Sequence, residues 1–293
     1  MPERAPAPQF DHRVPTDSAF SLAEFSTEPP DGAGSTSAWK KELAERVEQL
    51  HELQRRLYAD GRYAVLVVFQ AMDAAGKDST IRKVFSGVNP AGFRCVAFGP
   101  PSTRERAHDF LWRCQAALPA RGKIGIFNRS HYEEVLVVRL HPELLAAQRL
   151  PSIDPEQLWG QRMASIRDWE RHLARNGVVI VKFWLNVSRE EQKRRLLARI
   201  DRPDKNWKFE VADLDVRERW DDYMYAYEQA LRHTSRPGAP WYAIPADSKP
   251  YMRLAVARVM VETLETLDLH YPVVDRQQRA QLDDGKARLL VED

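Results

Sequence analysis

Cysteine is scarce: the 293 residues hold only Cys95 and Cys114, too few for a disulfide framework or a zinc cluster. Buried free thiols are expected, and one bridge between them stays open. Long apolar runs are missing too. The longest covers residues 64–69, whereas a bilayer helix takes about 20 apolar residues, so no membrane partner is expected. Residues 1–11 lack the basic start and apolar stretch of a secretory leader, which places the chain in the cytoplasm as an expectation. Nor is there an excess of one charge, since 44 Lys plus Arg face 42 Asp plus Glu for a net charge of +2. With 43% hydrophobic and 29% charged residues, this balance excludes disorder, a coiled coil and a globally basic nucleic-acid module. No nucleic-acid partner is expected.

Arginine is what the chain has in quantity, 33 residues against 11 Lys. Its planar fork grips phosphate with two hydrogen bonds, but a GC-rich genome produces the same bias, so position must decide. Residues 1–36 carry six of the 19 prolines and run into Gly- and Ser-rich residues at 31–37, a composition read as an N-terminal arm. From Trp39 the apolar positions Leu43, Val47, Leu50, Leu53 and Leu57 recur at helical spacing and stop near Gly61. An apolar strand over 63–70 follows, as in a parallel sheet covered on both faces. Helices are then expected over 77–88, 104–117, 132–140, 155–175, 189–200, 216–234 and 250–267, with strands over 94–98, 123–127, 178–186 and 241–244. Such alternation implies right-handed crossovers and an α/β fold. The domain is expected to span 37–270, with a charged extension over 271–293 for which a helix is allowed.

The most informative stretch lies where the first strand hands over to the first helix. Three Gly-Lys pairs occur, but only Gly76-Lys77 follows a strand and opens a helix. Backbone N–H groups of such a turn, the helix N-terminus and the Lys77 ammonium together suit phosphate. Ala71 stands where a phosphate loop of the G-x-x-x-x-G-K-[ST] type has its first glycine, and Asp78 replaces the hydroxyl that ligates magnesium. Asp73 is the candidate to hold the metal instead. A plain strand-turn-helix is the competing reading.

A second constellation, Asn128-Arg-Ser-His-Tyr-Glu-Glu134, ends the strand over 123–127, and ligands of open α/β sheets bind beyond the carboxyl ends of strands. Arg129 would face the phosphates. Glu133 and Glu134 offer carboxylates for a metal or an acceptor oxygen, yet Ser130 with Glu133 also fits a capping box, so cap and metal ligand both stay open for Glu133. His131 and His141 lack partners at metal spacing and read as ordinary. A third feature is the run Arg194, Arg195, Arg199, Arg202, Lys205 and Lys208, either a solvated face or a lid over about 199–216 that closes on phosphate. Trp220, Tyr223 and Tyr227 sit at core spacing, with Asp215 and Glu218 as a capping pair. Residues 247–249 are either a purine contact or a plain helix start.

With Asp73-Ala-Ala-Gly-Lys-Asp78, Ala107-His-Asp-Phe-Leu-Trp-Arg113, Asn128-Arg-Ser-His-Tyr-Glu133 and the segments 203–209 and 239–247, the sequence resembles the family-2 polyphosphate kinases. The likeness is to the single-domain branch that phosphorylates nucleoside mono- and diphosphates, and it runs from the N-terminal helix to about residue 267. It implies a three-layer P-loop kinase fold similar to thymidylate kinase with a parallel sheet and helical lid, Mg²⁺, and homodimers or homotetramers. The implied reaction moves a phosphoryl group between inorganic polyphosphate and AMP or ADP, or their guanine counterparts. By position, Asp73, Lys77, Arg129, Glu133 and Glu134 resemble the catalytic set. Ala74, Ala75, Gly76, Lys77, Asp78, Arg82, Lys83, Asn128, Arg129, Lys205 and Lys208 would hold phosphate. Many members carry Asp where this chain has Asn128, which leaves the strand-end metal role open; Glu134 is the first candidate, giving Asp73 and Glu134 as metal ligands. An ATP-dependent nucleotide kinase and a non-catalytic polyphosphate- or RNA-binding module are the competing functions. The first needs ATP for every acceptor, and the second needs no acidic metal site.

Overall fold

The structure, a computed structural model, describes residues 12–291 apart from 18, 152, 153 and 155. A five-stranded parallel sheet runs through the centre, built from β1 (Ala64–Gln70), β2 (Phe93–Ala97), β3 (Ile124–Asn128), β4 (Val178–Asn186) and β5 (Trp241–Pro245) in the order β2-β3-β1-β4-β5. Every residue of β1 is buried, as its unbroken apolar run requires of a central strand covered on both faces. The chain continues from β1 to the far edge and returns beside it as β3, while β4 flanks the other side. The crevice at this reversal of strand order opens beyond the carboxyl end of β1.

Alternation along β4 assigns the layers. Lys182 reaches Glu170 of α3 (Leu158–Arg175), and Trp184 packs on Tyr227 of α5 (Trp220–Thr234). Between these helices in sequence lies α4 (Arg189–Ile200). The other face is covered by α6 (Lys249–Glu265), itself packed on α1 (Thr36–Asp60) and α2 (Lys77–Val84). Ten residues of α6 are buried, because a helix apolar on all sides is stable only when enclosed. A fork from Arg258 to Glu42, at 2.8 and 2.6 Å, ties α6 to α1. The helix α1 starts on the Ser35 hydroxyl, which accepts from the Ala38 N–H, and stops at Gly61 with φ +66°, a left-handed C-cap that glycine adopts without strain.

Local chemistry interrupts three of the expected helices. Residues 104–117 form two one-turn helices, Thr103–Arg106 and Trp112–Gln115, because Ser102 and Glu105 close a capping box and the Asp109 carboxylate takes the Leu111 N–H. The 132–140 stretch divides into a 3-10 turn, His131–Glu134, and a helix, Val137–Leu140, around Leu136. The 216–234 stretch breaks at Arg219, whose guanidinium donates to the Leu140 carbonyl, and the short helix before it, Ala212–Glu218, has no side-chain cap from Asp215 or Glu218. The helix expected over 155–175 begins at Leu158; its first residue, Pro155, lies outside the described residues.

The described part of the arm lies along the domain. Val14 and Phe20 are fully buried, and backbone bonds join His12 and Val14 to Ala243 and Trp241 of β5, so the segment covers an otherwise open sheet edge. Residues 1–11 of the arm, and 292–293 of the extension, lie outside the described residues. The extension carries α7 (Arg276–Leu289), none of whose residues is buried. Cys114 is buried as expected, but Cys95 is exposed: it stands on β2, an edge strand none of whose residues is fully buried. No helix among the described residues is long and apolar enough to cross a membrane.

Candidate active site

The two expected motifs meet at the carboxyl ends of β1 and β3. Phe69 pairs with Asn128 across the ladder, and the Arg129 N–H donates to the Phe69 carbonyl at 3.1 Å. Ala74 and Arg129 adopt left-handed backbone, with φ +61° each. Gly76 at +112° begins α2; a side chain there would also come within 3.1 Å of the Met252 methyl group. These conformations are uncommon for residues other than glycine and cluster at sites where a ligand is held.

An open cleft of about 830 Å³ lies over the loop, and eleven cationic side chains line it against two acidic ones, Asp73 and Asp78. Lys77 folds back over the loop and donates to the Ala71 carbonyl at 2.7 Å. Arg129 donates to Asp73 Oδ1 at 2.9 Å, and Asn128 to Asp78 Oδ1 at 2.7 Å. Burial works to raise the Asp73 carboxyl, yet Lys77 and Arg129 hold it below the usual carboxylate range. For Lys77 burial dominates and lowers the ammonium, with Asp73 opposing. Burial pushes Glu133 upward against the pull of Arg129 and Lys77. Glu133 therefore belongs to the same charge cluster as Asp73, Lys77 and Arg129. Of the two readings left open for Glu133, the capping box does not form: Ser130 accepts from the Tyr132 N–H, and no Glu133 carboxylate returns to the Ser130 backbone.

Glu134 is not brought to this cluster. Its Oε2 accepts from Arg162 Nη1 at 2.6 Å and from Gln148 at 2.7 Å, and the residue lines a separate cavity of about 120 Å³. The reason is the 3-10 turn, in which successive side chains point about 120° apart, so only one of two adjacent glutamates can approach Lys77 and Arg129. The expectation of Glu134 as a metal ligand is corrected accordingly. Arg82 lines the cleft, whereas Lys83, one step around α2, is exposed outside it. Ala74, Gly76 and Asp78 line the cleft as expected, and Ala75 is buried behind it. Asn128 donates to Asp78, so its amide nitrogen fixes a carboxylate and not a metal. Asp73 keeps an oxygen, Oδ2, that accepts no hydrogen bond from the described residues. A divalent cation there would have this one carboxylate oxygen from the protein and would need phosphate and water for its other oxygens, with the phosphate offsetting the surrounding cations.

The cationic run divides by function. Lys205 and Lys208 stand on a 3-10 turn, Pro203–Lys208, that overhangs the cleft together with Arg199 and Arg202. Arg199 is held to Asp213 at 3.0 Å and Arg202 to Asp204 at 3.0 Å. Arg195, in contrast, is buried against backbone carbonyls. Trp220, Tyr223 and Tyr227 are buried, in agreement with packing. His131 lies buried between Tyr132 and Trp169, and burial keeps its imidazole below its ordinary value.

Sequence reasoning missed Arg253 and treated Lys249 only as part of a loop of two open readings. Both line the cleft one turn apart on α6. The available signal was a Lys-x-x-x-Arg pair opening a helix that is otherwise nearly all apolar. Arg253 has a buried Nε with no hydrogen-bond partner among the described residues. Burial, followed by Arg195, pushes the Lys249 ammonium down to about 8. Cations crowded in this way repel one another until an anion joins them. Asp247 does not contact the cleft; its carboxylate accepts from the Ser188 N–H and its N–H donates to the Thr27 carbonyl.

Residues 34–271 match the model of the family described as polyphosphate kinase 2 (PPK2). The chain is 48% identical over 280 residues to an ADP-polyphosphate phosphotransferase of Rhodopseudomonas palustris, covering 95% of this chain and 97% of the relative. It is 47% identical over 264 residues to an AMP/ADP-polyphosphate phosphotransferase of Meiothermus ruber, covering 89% and 94%. The crystal structure of polyphosphate kinase 2 from Arthrobacter aurescens TC1 superimposes with a TM-score of 0.84 at 39% identity, over 92% of this chain and 95% of that one.

Proposed function

This chain belongs to the polyphosphate kinase 2 family and has its P-loop kinase fold, and from that premise we propose how its own residues carry out polyphosphate:nucleotide phosphotransfer. Its substrates are inorganic polyphosphate and a nucleotide, and it acts as a kinase. The observation that carries the residue assignment is the cleft over the loop at 71–78, where eleven cations converge around Asp73 and Asp78.

Lys77 and the loop amides bind the end of the polyphosphate chain, and Arg129 holds the transferring phosphate beside them. Arg82, Lys249 and Arg253 form the track along which the chain lies. A terminal phosphate oxygen of the nucleotide attacks the terminal phosphorus of the polyphosphate in line, and the shortened chain leaves with the bridging oxygen. Transfer of this kind needs positioning and charge neutralisation more than covalent help. Asp73 would hold Mg²⁺, which when bound spreads the negative charge of the phosphate oxygens. Glu133 balances Lys77 and Arg129, so the loop keeps its shape between turnovers. The lid residues Arg199, Arg202, Lys205 and Lys208 close over the phosphates and exclude water. AMP and ADP are the proposed acceptors, with guanine nucleotides as further candidates, and a cytosolic homodimer or homotetramer is the proposed state.

The test is transfer from polyphosphate to ADP or AMP with ATP omitted. Product formation with Mg²⁺, lost in a folded Asp73→Asn protein, supports the assignment; an absolute need for ATP as donor refutes the reading. Unchanged turnover in Asp73→Asn removes Asp73 from its role.

A further inference from the structure

Three carbonyls of the phosphate loop are held by one helix. Gln192 Nε2 of α4 donates to the Asp73 carbonyl at 3.1 Å, and Arg195 Nη1 donates to those of Ala74 and Ala75 at 3.3 and 2.6 Å. The other arm of the same guanidinium donates to the carbonyls of Ala246 and Asp247 at 2.6 and 3.1 Å, just before α6. Its Nε donates to Glu191 at 2.6 Å. Arg195 is 6% exposed, and Gln192 is itself held by Arg217 through its Oε1 at 3.0 Å.

A loop that offers its N–H groups to an anion must turn its carbonyls the other way, and buried carbonyls require donors. Here those donors come from the helix whose C-terminal end carries the lid. The side chain that composition alone groups with the phosphate-gripping cations therefore has its donors engaged by protein.

We propose that Arg195 and Gln192 are positioning residues. They keep the loop at 73–76 in its left-handed shape with amides toward the cleft, and they register the lid helix and the start of α6 against that loop. The inference rests on the reading of the cleft as the polyphosphate site. A side chain acting this way contributes geometry, so a charged but unforked replacement cannot substitute for it.

The experiment compares Arg195→Lys, Arg195→Met and Gln192→Leu with the unmodified protein, and uses Lys193→Ala, an exposed neighbour on α4, as the control. Hydrogen exchange is read without any substrate at the Ala75 and Thr80 amides, whose bonds to the Met72 and Gly76 carbonyls depend on the shape of the loop. The three variants are expected to exchange there at least about tenfold faster, while β1 and α6 keep their protection. In transfer assays Arg195→Lys is expected to lose at least about tenfold in kcat/KM despite its retained charge, and added guanidinium is expected to restore part of the activity of Arg195→Met. Unchanged loop exchange overturns the proposal whatever the activity. So does an Arg195→Lys protein with normal kinetics. If the unmodified protein fails to use polyphosphate, the functional reading falls, and the exchange result alone still decides the positioning role.

Discussion

Lys249 offers the sharpest test of where the polyphosphate chain lies. Its ammonium is half enclosed at the start of α6, where burial and Arg195, with Lys205 and Arg253 beyond, bring it down to about 8. A bound polyanion favours the charged form, so the pKa rises on binding and the site takes up a proton above pH 8. The sign follows: affinity is constant below that value and falls as pH rises through it. One unit above the free pKa, roughly a tenth of the lysines are charged, so the apparent Kd of tripolyphosphate is expected to rise about tenfold per pH unit until the bound-state pKa is reached. The last proton of tripolyphosphate is held by the charges beside it and also leaves in this range, so the contribution of Lys249 is read as the difference in slope between the unmodified protein and Lys249→Arg, which share the ligand's own ionisation. Calorimetric titration between about pH 7 and 9.5 at constant ionic strength reads the slope. Lys249→Arg keeps its charge throughout and is expected to flatten the profile to the ligand's own slope, while Lys249→Met is expected to bind weakly and with that same slope. A flat profile for the unmodified protein, or an Arg variant as steep as the original, refutes the reasoning.

Two further outcomes are expected. Replacing Lys77 by Ala removes the ammonium that lies over the loop and is expected to lower turnover at least about a hundredfold; a folded variant with near-normal turnover would exclude the assigned role. Lys182 is fully buried and donates to Glu170, the Tyr132 hydroxyl and the Thr234 carbonyl at 2.6 to 2.9 Å. Lys182→Met strands the Glu170 charge behind the turn that carries Glu133, a loss of about 3–5 kcal/mol for a broken buried pair. The melting temperature should then drop by at least about 5 °C, as scanning calorimetry can measure, and an unshifted transition would show that the pair does not stabilise the fold.

The sheet and its order of strands and helices were legible because periodicity is a local property. The run 64–69 reads as a covered strand, and Gly76-Lys77 after it reads as the opening of a helix, either at a phosphate site or as a plain turn. The same locality explains the errors. A 3.6-residue pattern over 104–117, 132–140 and 216–234 survives even where a capping box, a 3-10 turn or a side chain bonded to backbone interrupts the helix.

What the amino-acid order determined by itself was the loop at 71–78, the strand-end motif at 128–134 and the family they mark, since each is carried by neighbouring residues. Only the tertiary structure decided which charges share the cleft. The turn at 131–134 sends Glu133 to Lys77 and Glu134 to Arg162. The clamp from α4 to the loop joins residues some 120 positions apart, and Arg253 arrives from a helix near the other end of the chain. Side-chain direction and long-range approach depend on how the layers pack around the sheet, and no local spacing encodes them.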